Sequence, residues 1–239
     1  MPNQTRRIHK DASHLKALAL RACKDLDGAS AVEVLRWTVD TFKSSFIVAA
    51  NMQHAALIDL ATKIKSDIDV VFIDTGYHFA ETIATRDAVG TIYPHIRIIN
   101  ATPNRTTVQQ GDDHGPRLYK RDPDLCCHLR KVIPLRNTLR AYSAWVTGLR
   151  RADSPTRGKA PVVAWDDQNL AVKVNPIVDW TDDELIEYID NNNVLANPLT
   201  SEGYLSIGCA PCTAKVLPGA ATRSGRWSGK SKTECGLHR

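Results

Sequence analysis

DVVFIDTGYHF, residues 69–79, runs from a short apolar stretch into a polar turn. Val70, Val71, Phe72 and Ile73 are β-branched or aromatic, and the run is too short for a buried helix, so it reads as a strand covered on both faces. Asp74, Thr75 and Gly76 end it, and residues 79–88 resume with helical apolar spacing. A strand followed by a crossover helix is the repeating unit of a parallel sheet. The same unit recurs outward along the chain. Residues 45–50 (SFIVAA) form a strand before helical spacing over 54–64, and residues 95–100 (HIRIIN), 144–147 (AWVT) and 170–174 (LAVKV) are further strands. Thr181 caps a helix over 182–190, with Glu184 completing a capping box. Upstream of Phe42 the chain reads as helical decoration, with Leu15, Leu18, Ala19 and Ala22 on one face. Past Asn197, Pro, Gly and Ser become frequent and periodicity is lost. The expectation is an α/β fold: one parallel-sheet domain over residues 1–197 with N-terminal helices, and an irregular, mobile C-terminal segment over 198–239 that folds back over it.

In open parallel sheets ligands bind beyond the carboxyl ends of the strands. Three polar clusters fall there: Asn51, DTGYHF (74–79) and TGLRR (147–151). The 239 residues carry a net charge of +5 with a pI of about 8.9, and Lys and Arg crowd residues 117–157 and 223–232. A modest positive balance concentrated near cysteines suits a small anionic ligand better than nucleic acid. The longest apolar runs are too short to span a bilayer, and no secretory signal is evident, so a cytoplasmic protein without membrane or nucleic-acid partners is expected. In that compartment six cysteines imply metal or redox chemistry rather than disulfides.

Cys209 and Cys212 form a C-x-x-C pair, a common metal-clamping spacing. Cys126 and Cys127 are adjacent; on a strand they would face opposite sides, so both reach one centre only from a helical or distorted backbone. Four thiolates can hold zinc or an iron–sulfur cluster, and the vicinal pair favours the larger cluster. Arg130 and Lys131 follow directly and would offset its negative charge. Cys23, on the apolar face of the first helix, reads as core. Cys235 stands apart on a Gly-, Ser- and Arg-rich tail.

The combination CCHLRK, TGLRR, GYLSIGCAPCTAK, RSGRW and KTECGLH resembles the assimilatory adenylyl-sulfate (APS) reductases, in the subgroup carrying a [4Fe-4S] cluster. The resemblance runs from about Phe46 to the end, and VNPIVDWTDDEL and NVLANPL are similar to actinobacterial members. It implies an adenine nucleotide alpha-hydrolase-like fold and one [4Fe-4S] cluster per chain on Cys126, Cys127, Cys209 and Cys212. It also implies thioredoxin-dependent reduction of APS to sulfite and AMP through an S-sulfocysteine, as part of sulfate assimilation. The nucleophile maps to Cys235; a nucleophile that meets first a nucleotide and then a protein suits a mobile tail. Arg223 and Arg226 fall on the loop that contacts the phosphosulfate in relatives, with Lys131 and Arg157 as the other cations. Gly148, the stretch including Ile73 and Thr75, and Ala50 with Asn51 match positions that hold the nucleotide.

One departure stands out. Many relatives have a Ser-rich SFSG loop followed by an acidic residue, where this chain has IVAANMQH, with His54 at the acidic position. Backbone N–H groups can still hold an anion there. A 3′-phosphorylated substrate (PAPS) is the alternative within the same family. A tRNA-thiolating enzyme would need an SGGxDS loop, which is absent, and a zinc module binding nucleic acid would leave ECGLH unexplained. The sequence leaves room for a homo-oligomer and for a role of His238 beside Cys235.

Overall fold

The computed structural model describes residues 4–217 and 219–237, with side chains from residue 12 onward; His238 lies outside the described residues. The elements are α1 (Gln4–Asp25), α2 (Ala31–Phe42), β1 (Phe46–Ala49), α3 (Ala56–Thr62), β2 (Asp69–Ile73), α4 (Ala80–Ile92), β3 (Arg97–Ala101), α5 (Thr107–His114), α6 (Leu118–Arg121), α7 (Pro123–Cys127), α8 (Ile133–Leu139), β4 (Ala144–Thr147), β5 (Val163–Asp166), β6 (Ala171–Val174) and α9 (Asp182–Asn191). All five expected strands are present. The capping box at Thr181 is also there: Thr181 Oγ1 accepts from the Glu184 N–H at 3.1 Å, while Glu184 accepts from the Thr181 N–H at 2.7 Å.

Strand order is β3-β2-β1-β4-β6-β5, and only β5 runs antiparallel. Sequence reading missed β5. Its four residues end in Trp-Asp, and it turns back to β6 through an Asx turn in which Asp166 Oδ1 accepts from the Gln168 and Asn169 N–H groups at 3.1 Å each. The helix expected over residues 54–64 is shorter, because an isolated bridge to Ala196 holds His54 extended and delays α3 to Ala56.

Side chains alternate across the sheet with the period of two that a pleat imposes. Val48, Val70 and Phe72 face a core built with α1, α2, α3, α4 and α9, while Ile47 and Val71 face a second core with Leu135 and Leu139 of α8. Helices therefore cover both faces, which is why the central strands read as continuous apolar runs. The expected face of α1 packs inward, with Ala19 and Ala22 buried and Cys23 against the core.

The order of strands positions the site. From β1 the chain winds one way through β2 and β3, then returns across β1 to β4 on its other side. The carboxyl ends of β1 and β4 thus open a crevice where the direction of winding reverses. Beyond Asn197 the chain is tied over this crevice. Asn197, fully buried, donates to Met52 O at 3.2 Å and Thr82 Oγ1 at 3.1 Å, and Gln53 bonds Leu205 O and the Ile207 N–H.

Candidate active site and cysteine pocket

The crevice is a cleft of about 1410 Å3, counting its open mouth. Of the ten expected catalytic and substrate-binding residues, nine line it: Ala50, Asn51 and Ile73 from the ends of β1 and β2, Gly148 after β4, and Lys131, Arg157, Arg223, Arg226 and Cys235 from the rest of the chain. Thr75 does not. It is fully buried behind the cleft, with Oγ1 3.3 Å from Cys209 Sγ.

Cys126, Cys127, Cys209 and Cys212 line a second, smaller pocket, which Arg130, Lys131 and Trp227 border as well. Local structure explains how. Asp122 caps α7 by accepting from the Leu125 N–H at 2.9 Å, and Pro123 opens the helix at a position where no N–H is needed. The two cysteines leave α7 on a helical backbone, as their adjacency required, and both are buried. A π-helical turn follows over His128–Val132 before α8, whose first turn holds Pro134. Proline has no N–H to continue the α-helical ladder, which accounts for the wider turn. That turn buries Arg130 and Lys131. Arg130 is fixed by bonds to the Thr75, Arg105 and Gln110 oxygens. On the other wall, Cys212 N–H bonds Cys209 O at 2.9 Å, and the Ala210 N–H bonds Tyr77 O at 2.7 Å.

The sulfurs sit in a poorly solvated place. Burial pushes Cys126 up to about 11 and Cys127 up to about 12, and raises Cys212 as well. Burial pulls Lys131 down, but the thiols of Cys209, Cys235 and Cys127 outweigh it and raise its pKa. Four sulfur donors, three buried and Cys212 half-buried, flanked by cations suit a soft, sulfur-loving metal group rather than oxygen-ligated Mg2+ or Ca2+. They border a pocket rather than a point: among the described residues no three His, Cys, Asp or Glu form a group that could hold a single metal ion.

Several features in and around the cleft were not read from sequence. Glu234, next to Cys235, is paired to Arg157 and Arg223. Burial alone would raise its pKa, but the Arg157 bonds outweigh that and hold it below the usual carboxylate range. His54 is neutral: burial, then Arg150, pushes it down to about 4. Lys173, with its Nζ 5.3 Å from the Trp145 ring centroid, is pushed down to about 8, chiefly by burial. Buried Arg150 bonds Asp153, Asp182 and Thr181 O. Glu234 was visible in ECGLH, but only the fold reveals which cations it meets.

Residues 43–215 match the family model described as the phosphoadenosine phosphosulfate reductase domain. The chain is 55% identical over 226 residues to the adenosine 5'-phosphosulfate reductase of Mycolicibacterium smegmatis, covering 95% of each chain. It is 50% identical to the protein of that name in Mycobacterium tuberculosis, covering 100% of this chain and 99% of that one. Among solved structures it is similar to phosphoadenylyl-sulfate (PAPS) reductase from Candida auris, with a TM-score of 0.70 and 28% identity over 83% of this chain and 96% of that one. A likeness to Candida glabrata FMN adenylyltransferase, at a TM-score of 0.58, 12% identity and coverage of 94% of this chain and 85% of that one, extends to the fold alone.

Proposed function

We propose, from the premise that this chain belongs to the phosphoadenosine phosphosulfate reductase domain family, that it reduces adenosine 5'-phosphosulfate (APS) to sulfite and AMP. The observation that carries this reading is the meeting of Cys235 with Lys131, Arg157, Arg223 and Arg226 in the cleft at the reversal point of the sheet. A thiol surrounded by cations, beside a crevice suited to a nucleotide, has the parts for nucleophilic transfer from an anionic donor.

The adenosine lies against Ala50, Asn51, Ile73 and Gly148, with Thr75 supporting the β2 end from behind. The phosphosulfate faces the four cations, which stabilise its charge as the sulfur–oxygen bond lengthens. The Cys235 thiolate attacks the sulfate sulfur. A sulfur–sulfur bond forms, the bond from sulfur to the AMP oxygen breaks, and AMP leaves with the electron pair. A dithiol reductant of the thioredoxin class then attacks Cys235 Sγ. Sulfite departs with its electron pair, and the second thiol resolves the mixed disulfide, restoring Cys235 and leaving the reductant oxidised.

Cys126, Cys127, Cys209 and Cys212 would hold one [4Fe-4S] cluster. The sulfur-only donor set, the burial of Cys126, Cys127 and Cys209, and the adjacent Arg130 and Lys131 support that assignment over an oxygen-ligated metal. Such a cluster would cross-link the two cysteine segments and add charge to the pocket that Lys131 also lines. Protein purified anaerobically should contain about four irons per chain. All six cysteines are free thiols.

The deciding experiment is Cys235→Ser. Sulfite formation from APS should fall to background while AMP binding persists; continued sulfite release would overturn the reading. The wild-type protein should prefer APS to its 3′-phosphorylated analogue.

A further inference from the structure

We infer that Glu234 is a positioning residue whose carboxylate, gripped by Arg157 and Arg223, is the latch that seats Cys235 in the cleft. The inference rests on the nucleophilic role proposed for Cys235.

The tail has little else to hold it. Among the described residues, no backbone–backbone hydrogen bond fastens residues 231–237. Side chains do the fastening. Lys232 Nζ reaches Asp124 Oδ1 at 2.5 Å, and Leu237 packs on the second core. Between them, next to Cys235, Glu234 makes the densest contact. Arg157 donates in parallel from Nε to Oε1 at 2.8 Å and from Nη2 to Oε2 at 2.9 Å, the fork geometry that fixes a carboxylate in both position and angle. Arg223 Nη2 donates to Oε2 at 3.2 Å and to Thr233 O at 2.9 Å. The Arg157, Arg223 and Glu234 side chains are only 10%, 15% and 17% exposed, so water screens the pairs weakly. Arg157 is itself braced: its Nη1 donates to Asp153 Oδ2 at 2.8 Å.

The latch leaves capacity for substrate. Five cationic side chains line the cleft, Lys131, Arg150, Arg157, Arg223 and Arg226; Asp153 pairs with Arg150 and Arg157, and Glu234 with Arg157 and Arg223. Among the described residues neither Lys131 nor Arg226 has a carboxylate partner, and Arg223 Nε is buried without a bond. A doubly negative phosphosulfate can therefore be held while Glu234 stays docked. Glu234 then acts on the delivery of Cys235 rather than on nucleotide affinity.

The test uses cluster-loaded enzyme and the variants Glu234→Gln and Glu234→Asp. Three quantities are measured: alkylation of Cys235 followed on the tail peptide by mass spectrometry, the single-turnover rate of S-sulfocysteine formation at saturating APS, and AMP affinity. In Glu234→Gln, alkylation should be about fivefold faster and single turnover about tenfold slower, with AMP affinity changed by less than about twofold. Glu234→Asp, which keeps the charge on a shorter arm, should fall between. Unchanged alkylation and single turnover in Glu234→Gln would overturn the latch. So would about tenfold tighter AMP binding at an unchanged rate, which would make the carboxylate a competitor of substrate instead. Both outcomes leave the role of Cys235 standing; only sulfite formation by Cys235→Ser removes that.

Discussion

Thr75 Oγ1 lies 3.3 Å from Cys209 Sγ and also accepts the Tyr77 N–H at 3.2 Å, so one buried hydroxyl joins the end of the second strand to the cysteine pocket. Thr75→Val keeps the shape but leaves the Tyr77 N–H without that acceptor, at a cost of about 1–2 kcal/mol. Denaturant unfolding should show the loss, and iron should be stripped by a chelator faster than from the parent protein.

Gly208 sits where a β-carbon would fall 2.3 Å from Arg226 Nη2 and 2.5 Å from its Cζ. Gly208→Ala therefore displaces the Arg226 guanidinium from the cleft, while the backbone at residue 208 keeps its place. KM for APS should rise about tenfold, equivalent to about 1.4 kcal/mol, with thermal stability nearly unchanged. Gly225 is the contrasting case: a β-carbon there would meet the Ala214 carbonyl oxygen at 2.2 Å. That neighbour is backbone and cannot swing away, so Gly225→Ala should lower thermal stability.

His54 gives the fold a pH dependence of definite sign. Its folded pKa is about 4, with Arg150 reinforcing the effect of burial and Asp153 opposing it, whereas an unfolded histidine titrates near 6.5. Above about 6.5 the ring is neutral in both states and costs nothing. As pH falls toward about 4, the unfolded chain takes up a proton that the folded chain refuses, so about 3 kcal/mol of stability is lost across that window. Urea midpoints measured from pH 7 to pH 4.5 should fall less steeply in His54→Gln than in the parent. Parallel slopes would contradict the neutral assignment.

Arg150 is 5% exposed and donates to Asp153 Oδ1 at 2.8 Å, Asp182 Oδ1 at 2.6 Å and Thr181 O at 2.9 Å. Arg150→Met strips three acceptors at once and should cost about 3 kcal/mol, visible as a lower Tm. Arg150→Lys should recover only part, since an ammonium lacks the planar fork. Because Asp153 also braces Arg157, the Met variant should additionally speed alkylation of Cys235.

The repeated apolar runs at residues 46–49, 69–73 and 144–147 determined the parallel sheet, because strands buried on both faces need unbroken apolar sequence. The antiparallel edge β5 lacked that signal and was found only in space. The vicinal cysteines carried their own constraint: neighbours can serve one centre only from a helical backbone, and α7 supplies it.

What the chain order could not convey was which charges neutralise one another. Glu234 is 77 residues from Arg157, and nothing in either neighbourhood marks the pairing. His54 looked like any titratable ring until the fold enclosed it. Local spacing is governed by backbone periodicity and is written in the sequence. Electrostatic partnership depends on distance through space and on exclusion of water, and both exist only once the sheet has reversed direction and the tail has closed over it.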